Sequence, residues 1–374
     1  MTISVKEEFK RTWVISTLGA ILTVGGIWLL IWNEGRAVHH GNSLDEAFNN
    51  VVPLNIYEPV QAELDGRLVH ISGNLLIDEP LTEPEYTIAI QAVKLKRRVQ
   101  MFQWVEERVL SNYADTDAQY SESARNRDDS DYYYVTEWRD KLVDSSSFYI
   151  RHGHQNPKEM MLKSHIYISP SVRVGELTIG SEIKDKFNDY QEMTSDERPD
   201  RRDIKLHLGI YYHSHDVWKP EVGDIRVQFY SAGHNGDPVT IVAMQKDGNL
   251  VPFTTSKNHQ IALLRHGLFN IKQMFDYEHS DVRFETWKMR IAGVFVLYAA
   301  SVFLAPVIRA FTVKLPRHLA LAEIPPSTSF TIAFSVALFV LSTAWIAHRP
   351  WIGVGLCTAS FSPLIYTLMS IYGR

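Results

Sequence analysis

A single cysteine, Cys357, occurs in the 374 residues, which excludes a disulfide-stapled secreted scaffold. Also missing are the loops that mark common enzyme chemistry. There is no Gly-x-Ser-x-Gly nucleophile elbow, no phosphate-cradling Gly-Lys-Ser/Thr loop and no dinucleotide fingerprint. No Cys-x-x-Cys or His-Glu-x-x-His spacing points to zinc. Charge is the most unevenly missing property: residues 13–32, 291–308, 327–347 and 351–371 contain no Asp, Glu, Lys or Arg. Each window approaches the ~20 apolar residues that cross a hydrocarbon core of ~30 Å. A soluble single-domain enzyme is therefore excluded, although the overall 45% apolar and 22% charged composition resembles one. The 11% aromatic content and ordered patterning argue against a disordered chain. The sequence is that of an integral membrane protein.

Lys6, Lys10 and Arg11 ahead of the first window resemble the start of a signal peptide, but a cleavable signal has an apolar core of only ~7–15 residues. This run continues to Trp32, and Trp13, Trp28 and Trp32 suit the two interfacial belts, so it reads as a retained anchor. Residues 33–290 hold 30 Lys+Arg against 40 Asp+Glu, a net of −10; the rest of the chain holds 8 against 3, a net of +5. Short flanking segments rich in Lys and Arg stay cytosolic, whereas long domains translocate largely regardless of charge. The expected layout is a cytosolic tail (1–12), a first span (13–32) and a β-rich periplasmic or lumenal domain (33–290). A second span (291–308), a cytosolic loop (309–326), a third span (327–347), a short extracytosolic turn (348–350), a fourth span (351–371) and a cytosolic end (372–374) complete it. The fold class is α+β, with one N-terminal and three C-terminal transmembrane helices.

None of the four windows contains His either, which argues against a proton relay or pump. Small residues recur at helical spacing, Ala333 with Ala337 and Gly355 with Ala359, as packed helix faces require. Ser335, Ser342 and Thr343 are candidates for hydrogen bonds between helices, and Pro306 and Pro363 for kinks or helix ends.

Between the first two spans the pattern is strand-like. Ser43-Leu44-Asp45-Glu46 reads as a capping box opening a short helix before Pro53. Ala92–Arg108 alternates apolar and polar residues, predicting a long strand with one wet face bearing Lys94, Lys96 and Arg98. That face reads either as solvated or as a contact for anionic headgroups or an acidic partner. A second strand is expected within 132–143, after an exposed acidic loop at 111–131. Further strands are expected near 68–72, 165–168, 177–179, 205–212, 224–230, 239–245 and 250–254, with a hairpin turn at Asp247-Gly248. Ile183, Phe187 and Tyr190 predict a short amphipathic helix. From Asn270 the pattern is helical through Trp287 into the second span, which would make the connection stiff.

His213 and His215 share a strand face by spacing, with His207 nearby and His152 and His154 repeating the interval. A metal site is one reading of them; strand histidines with satisfied hydrogen bonds is the favoured one. Cys357 lies in an apolar window, where packing explains it better than reactivity. Catalytic, cofactor-binding and metal-binding residues are therefore expected to be absent. No Asn-x-Ser/Thr acceptor occurs, which fits a periplasm slightly better than an endoplasmic reticulum lumen.

Several stretches carry a family resemblance. They are Asn33-Glu34-Gly35-Arg36-Ala37, Gly66-Arg67-Leu68-Val69-His70-Ile71, Ala92-Val93-Lys94-Leu95, Gln103-Trp104-Val105-Glu106 and Thr136-Glu137-Trp138-Arg139. Asn156-Pro157, Tyr212-His213-Ser214, Pro220-Glu221-Val222-Gly223-Asp224, Leu250-Val251-Pro252-Phe253, His266-Gly267 and Arg349-Pro350 continue the series. In order, spacing and span layout the chain resembles the LUMA, or transmembrane-protein-43, family. The resemblance implies a multispanning scaffold, found in animals in the endoplasmic reticulum and inner nuclear membrane, that associates with itself, with emerin and with lamins. Signalling and ion-conductance roles are also implied, and no catalytic residues. The short tail and the missing glycosylation acceptors point to a bacterial member, where the location would be the inner membrane and emerin and lamins would not exist.

The expected function is a non-enzymatic membrane scaffold that self-associates and organises membrane protein complexes. Its expected partners are lipids, further copies of the chain and other membrane proteins, not nucleic acid. The alternatives are an ion channel or channel accessory, and then a membrane-anchored enzyme using His213 or His215 with an acid.

Overall fold

The architecture is that of a computed structural model, which describes residues 10–57, 59, 61–108, 132–194, 199, 201–312, 325–346 and 350–372. The acidic loop expected at 111–131 lies outside the described residues. The chain opens with α1 (Trp13–Asn50). Then come β1 (Val52–Pro53), β2 (Leu68–Ile77), β3 (Leu81–Glu83), β4 (Ile88–Ile90), β5 (Ala92–Arg108) and β6 (Tyr132–Arg139). After β7 (His165–Ile168), β8 (Val172–Val174) and β9 (Leu177–Ile179) lie α2 (Ser181–Lys184) and β10 (Gln191–Met193). They are followed by β11 (Lys205–His207), β12 (Ile210–His213), β13 (Ile225–His234) and β14 (Pro238–Lys246). The last strands are β15 (Asn249–Val251), β16 (Phe253–Thr254), β17 (Gln260–Ile261) and β18 (Leu263–His266). Three helices end the chain: α3 (Ile271–Thr312), α4 (Pro326–Ile346) and α5 (Pro350–Tyr372).

Two compact units result. One holds Val51–Phe253 and Ala262–Phe269; the other holds Met1–Asn50, Thr254–Ile261 and Asn270–Arg374. In the β unit, one sheet runs β1-β2-β8-β9-β15-β14-β18, and β14 also pairs with β2, so the sheet curls back on itself. Its core gathers Val69, Ile71, Leu75, Ile241, Leu250, Ile183 and Phe187. The other sheet runs β11-β12-β13-β5-β6, with β10 on β13 and β7 on β5. Tyr86, Leu95, Val99, Met101, Tyr211, Val227 and Phe229 fill its core.

The strand β5 falls on its expected bounds, and Asp247 and Gly248, with φ of 49° and 75°, make the two-residue turn between β14 and β15. Four local expectations are corrected. The run 205–212 is two strands, because Leu208 and Gly209 adopt φ of 50° and 75° and reverse the chain between β11 and β12. The run 250–254 breaks at Pro252, which has no N–H to donate to a ladder. The helix holding Ile183 lasts only four residues, with Phe187 beyond its end, although both side chains are fully buried. Ser43-Leu44-Asp45-Glu46 starts no helix: α1 continues through it to Asn50, with Ser43 and Leu44 buried in mid-helix.

In the helical unit, α1 and α3 pack closely because glycines remove side chains from the contact. A Cβ on Gly19 would lie 2.9 Å from Leu304, one on Gly26 2.9 Å from Leu297, and one on Gly293 2.5 Å from Leu30. Gly19 and Gly26 are seven residues apart, the repeat of one continuous seam. Leu30, Leu297, Ala333, Ala337 and Val340 form the core shared with α4. Neither Pro306 nor Pro363 ends its helix. Among the described residues α1, α3 and α4 are long and apolar enough to cross a membrane. The fourth charge-free window falls on the 23-residue helix α5.

Candidate functional site

The histidines singled out by spacing do not converge. His213 closes β12 and its Nε2 lies 2.9 Å from the Tyr86 hydroxyl, within the aromatic core of Tyr86, Tyr211 and Phe229. Burial holds the His213 imidazole below its ordinary pKa and pushes the Tyr86 phenol up. His207 instead stands edge-on to Trp218 at 4.8 Å. His215 lies beyond the strand, and its carbonyl accepts from the Lys205 ammonium. His154 stacks on Tyr134 at 3.9 Å and touches Trp104 edge-on. Among the described residues no group of three or more His, Cys, Asp or Glu is arranged to hold a metal ion.

The basic face of β5 is engaged by residues distant in sequence, so the expected wet face is a partnered one. Lys94 is buried, donating to the Asp185 carbonyl at 2.9 Å; Lys96 sits over the Tyr190 ring; Arg98 makes a two-pronged pair with Asp140 at 3.0 and 3.2 Å. Desolvation lowers the pKa of Lys94, as expected for an ammonium taken out of water. On the opposite, core-facing side Arg97 pairs with Glu83 at 2.9 Å, the two side chains only 17% and 8% exposed.

The stretches that carry the family resemblance serve as polar clamps. Asn156 inserts its amide against β5, accepting from Trp104 N–H at 2.7 Å and donating to the Trp104 carbonyl at 2.9 Å and the Val143 carbonyl at 3.2 Å. It thereby satisfies backbone groups as a neighbouring strand would. Gln103 donates to the Lys141 carbonyl and accepts from Val143 N–H. Asp224 accepts from the Ser214 hydroxyl at 2.6 Å and from Glu221 N–H at 2.8 Å.

A largely buried ion pair of the helical unit lies just beyond the apolar windows. Glu34 on α1 accepts from Arg290 Nε at 2.6 Å and from its terminal nitrogen at 2.9 Å, with side-chain exposures of 5% and 16%. Asn33, fully buried, donates to the Thr286 carbonyl at 3.1 Å and accepts from Arg36. Arg36 lies over Trp32 and Arg290 over Trp287. This girdle fixes the register of α1 against α3. Spacing alone had placed Glu34 and Arg290 only as flanking charges. The available signal was their similar depth, two residues past 32 and one before 291.

Within the windows the hydroxyl groups bridge less than expected. Ser342 and Thr343 donate to carbonyls of their own helix, Phe339 at 2.6 Å and Val340 at 2.7 Å. The Ser335 hydroxyl, like that of Ser301, is buried without a partner. Ala333 and Ala337 are buried as packed-face residues, whereas Gly355 and Ala359 are exposed. Gly353 is the glycine pressed against α4, where a Cβ would meet Ile346 at 2.5 Å.

The model of the family described as Transmembrane protein 43 matches residues 101–350, from within β5 to the start of α5. A Transmembrane protein 43 homolog of Drosophila melanogaster is 43% identical over 367 residues, covering 97% of this chain and 96% of that one. Transmembrane protein 43 of Homo sapiens is 31% identical over 343 residues, 89% of this chain and 84% of that one. The Mus musculus protein is 30% identical over 353 residues, 91% and 86% of the respective chains. No solved structure matches the chain. These relatives are named as membrane proteins, which accords with the apolar helices, and together with the family match they show that the chain belongs to the transmembrane protein 43 family.

Proposed function

We propose that the protein is a membrane scaffold: the helical unit self-associates in the bilayer and the β unit presents surfaces to other membrane proteins. The observation that carries this reading is the use of the polar residues. The resemblance-bearing side chains Asn33, Glu34, Gln103, Asn156 and Asp224 are spent on holding backbone and helices in place. Of the singled-out histidines, His213 is held by Tyr86, His207 by Trp218 and His154 by Tyr134. Beyond residue 32, α1 continues rigidly for about 27 Å and α3 runs a similar length before its window, at ~1.5 Å per residue. Such a paired stalk transmits position rather than performing chemistry. The exposed Gly355 and Ala359 on α5 give a second copy a face for close helix contact.

In this reading both termini are cytosolic, all four windows span and the β unit is extracytosolic. The animal relatives favour an endoplasmic reticulum or nuclear membrane over a bacterial inner membrane. Cross-linking mass spectrometry in native membranes should yield contacts between copies and to other membrane proteins. A strict monomer in mild detergent, with no cross-linked partner, would sink the scaffold.

The channel reading has one observation in its favour, the unpartnered buried hydroxyls of Ser301 and Ser335. Polar groups left unsatisfied in a bundle core accommodate water if there is room. That reading requires conductance in reconstituted bilayers that changes with Ser335→Ala; silent bilayers rule it out.

A further inference from the structure

The segment Thr254–Ile261, although flanked on both sides by chain of the β unit, belongs to the helical unit. It is a tight hairpin in which Thr255 N–H donates to the His259 carbonyl at 2.9 Å, Asn258 turning at φ of 59°. The hairpin grips the stalk at three levels of α1. Ser256 donates to Glu46 twice, from its N–H at 2.8 Å and its hydroxyl at 2.6 Å. The Thr255 hydroxyl reaches that of Ser43 at 3.5 Å. His259 lies against His40, ring centroids 4.6 Å apart. The supposed capping box is thus the seat of this contact.

What faces His40 is cationic or able to become so. Arg36 stands one turn back on its own helix, His259 comes from the hairpin and His279 from α3. The carboxylates at this level are already engaged, Asp45 with His279 Nε2 at 3.3 Å and Glu46 with Ser256. We infer that the 254–261 hairpin is a proton-released clasp on the α1–α3 stalk, held while His40 is neutral and let go when it charges against the cationic surroundings that face it.

Burial first, and then His259, Arg36 and His279, hold the His40 imidazole below its ordinary pKa of 6.5. The docked state therefore resists a proton that the released state accepts. Docking is at full strength above that ordinary value and weakens as pH falls through and below it. Glu46 does not blur the window: its hydrogen bonds from Ser256 keep it ionised to below its ordinary 4.5. His40 lies eight residues past the first apolar window, outside the span. The hairpin's two ends continue into the β unit's chain.

The test uses the full chain in lipid nanodiscs. Hydrogen exchange of the 254–261 amides, corrected for intrinsic rates, is compared at about pH 7.5 and about pH 5.5, with β14 amides as the reference. Protection of the hairpin should fall about tenfold or more at the lower pH, one proton being coupled to release, while β14 holds. His40→Phe and His259→Phe, which keep a ring but cannot charge, should each retain protection at the lower pH. Unchanged wild-type protection overturns the proposal. So does an equal fall in both variants, which would mean that other groups drive it. Loss of protection in both variants already at the higher pH also overturns it, because packing rather than charge would then be what the histidines provide.

Discussion

At the scale of single residues, the polar side chains of this protein act in pairs whose members lie far apart in sequence. Glu34 and Arg290 are the clearest case, because each is buried enough that losing its partner strands a charge. Glu34→Gln should lower stability by about 3 kcal/mol. The double variant Glu34→Leu with Arg290→Met should recover most of that loss. Thermal unfolding in detergent measures both. A similar argument gives the β unit a pH dependence. Burial lowers the pKa of His213, and also of His70, whose Nε2 lies 2.9 Å from the Phe269 carbonyl. Since the folded forms resist protonation, stability is full above about 6.5 and falls as the medium becomes more acidic. Urea unfolding followed by tryptophan fluorescence should show a falling midpoint across that range, and replacing both histidines with glutamine should flatten the fall.

At the scale of elements, glycine placement separates positions pressed against a neighbouring helix from open ones. Gly293 faces Leu30 at a distance that admits no Cβ, so Gly293→Leu must push α1 from α3 and should cost about 1–3 kcal/mol. A Cβ on Gly355 would meet nothing within 4 Å, so Gly355→Leu should leave unfolding unchanged and, under the scaffold proposal, weaken self-association in detergent. Light scattering beside a melting curve distinguishes the two positions. Normal association by the Gly355 variant would direct attention to another helix face. Element identity itself was readable where one signal dominated. β5 alternates with period two over 17 residues, and helical patterning from Asn270 continues unbroken into α3. Reading failed where one short motif has two uses. Ser43 and Glu46 have the spacing of a helix start, yet they serve as docking groups for a hairpin more than 200 positions later. The basic residues of β5 read as solvated or as a contact for an acidic partner, because Asp140, Asp185 and Tyr190 reach them only after the sheets have formed.

At the scale of the whole molecule, the proposed topology makes the charge asymmetry its cause: basic flanks remain in the cytosol while the acidic middle crosses. In sealed microsomes, an epitope at position 120 should resist added protease while tags at both termini are removed. The opposite pattern would invert the orientation and move the β unit into the cytosol. The chain passes from one unit to the other at the end of α1 and just before the start of α3.

The sequence by itself determined the membrane character, the helices and many strands, because these follow from local properties: the absence of charge over some twenty residues, or alternation with a fixed period. Its stretches also sufficed to indicate the family. Only the tertiary structure decided which polar groups meet. It placed His213 against Tyr86, His207 against Trp218, Glu34 against Arg290 and His40 against His259. The physical reason is that a hydrogen bond or ion pair depends on distances of a few ångströms between groups, and spacing along the chain fixes such distances only within one helix or strand.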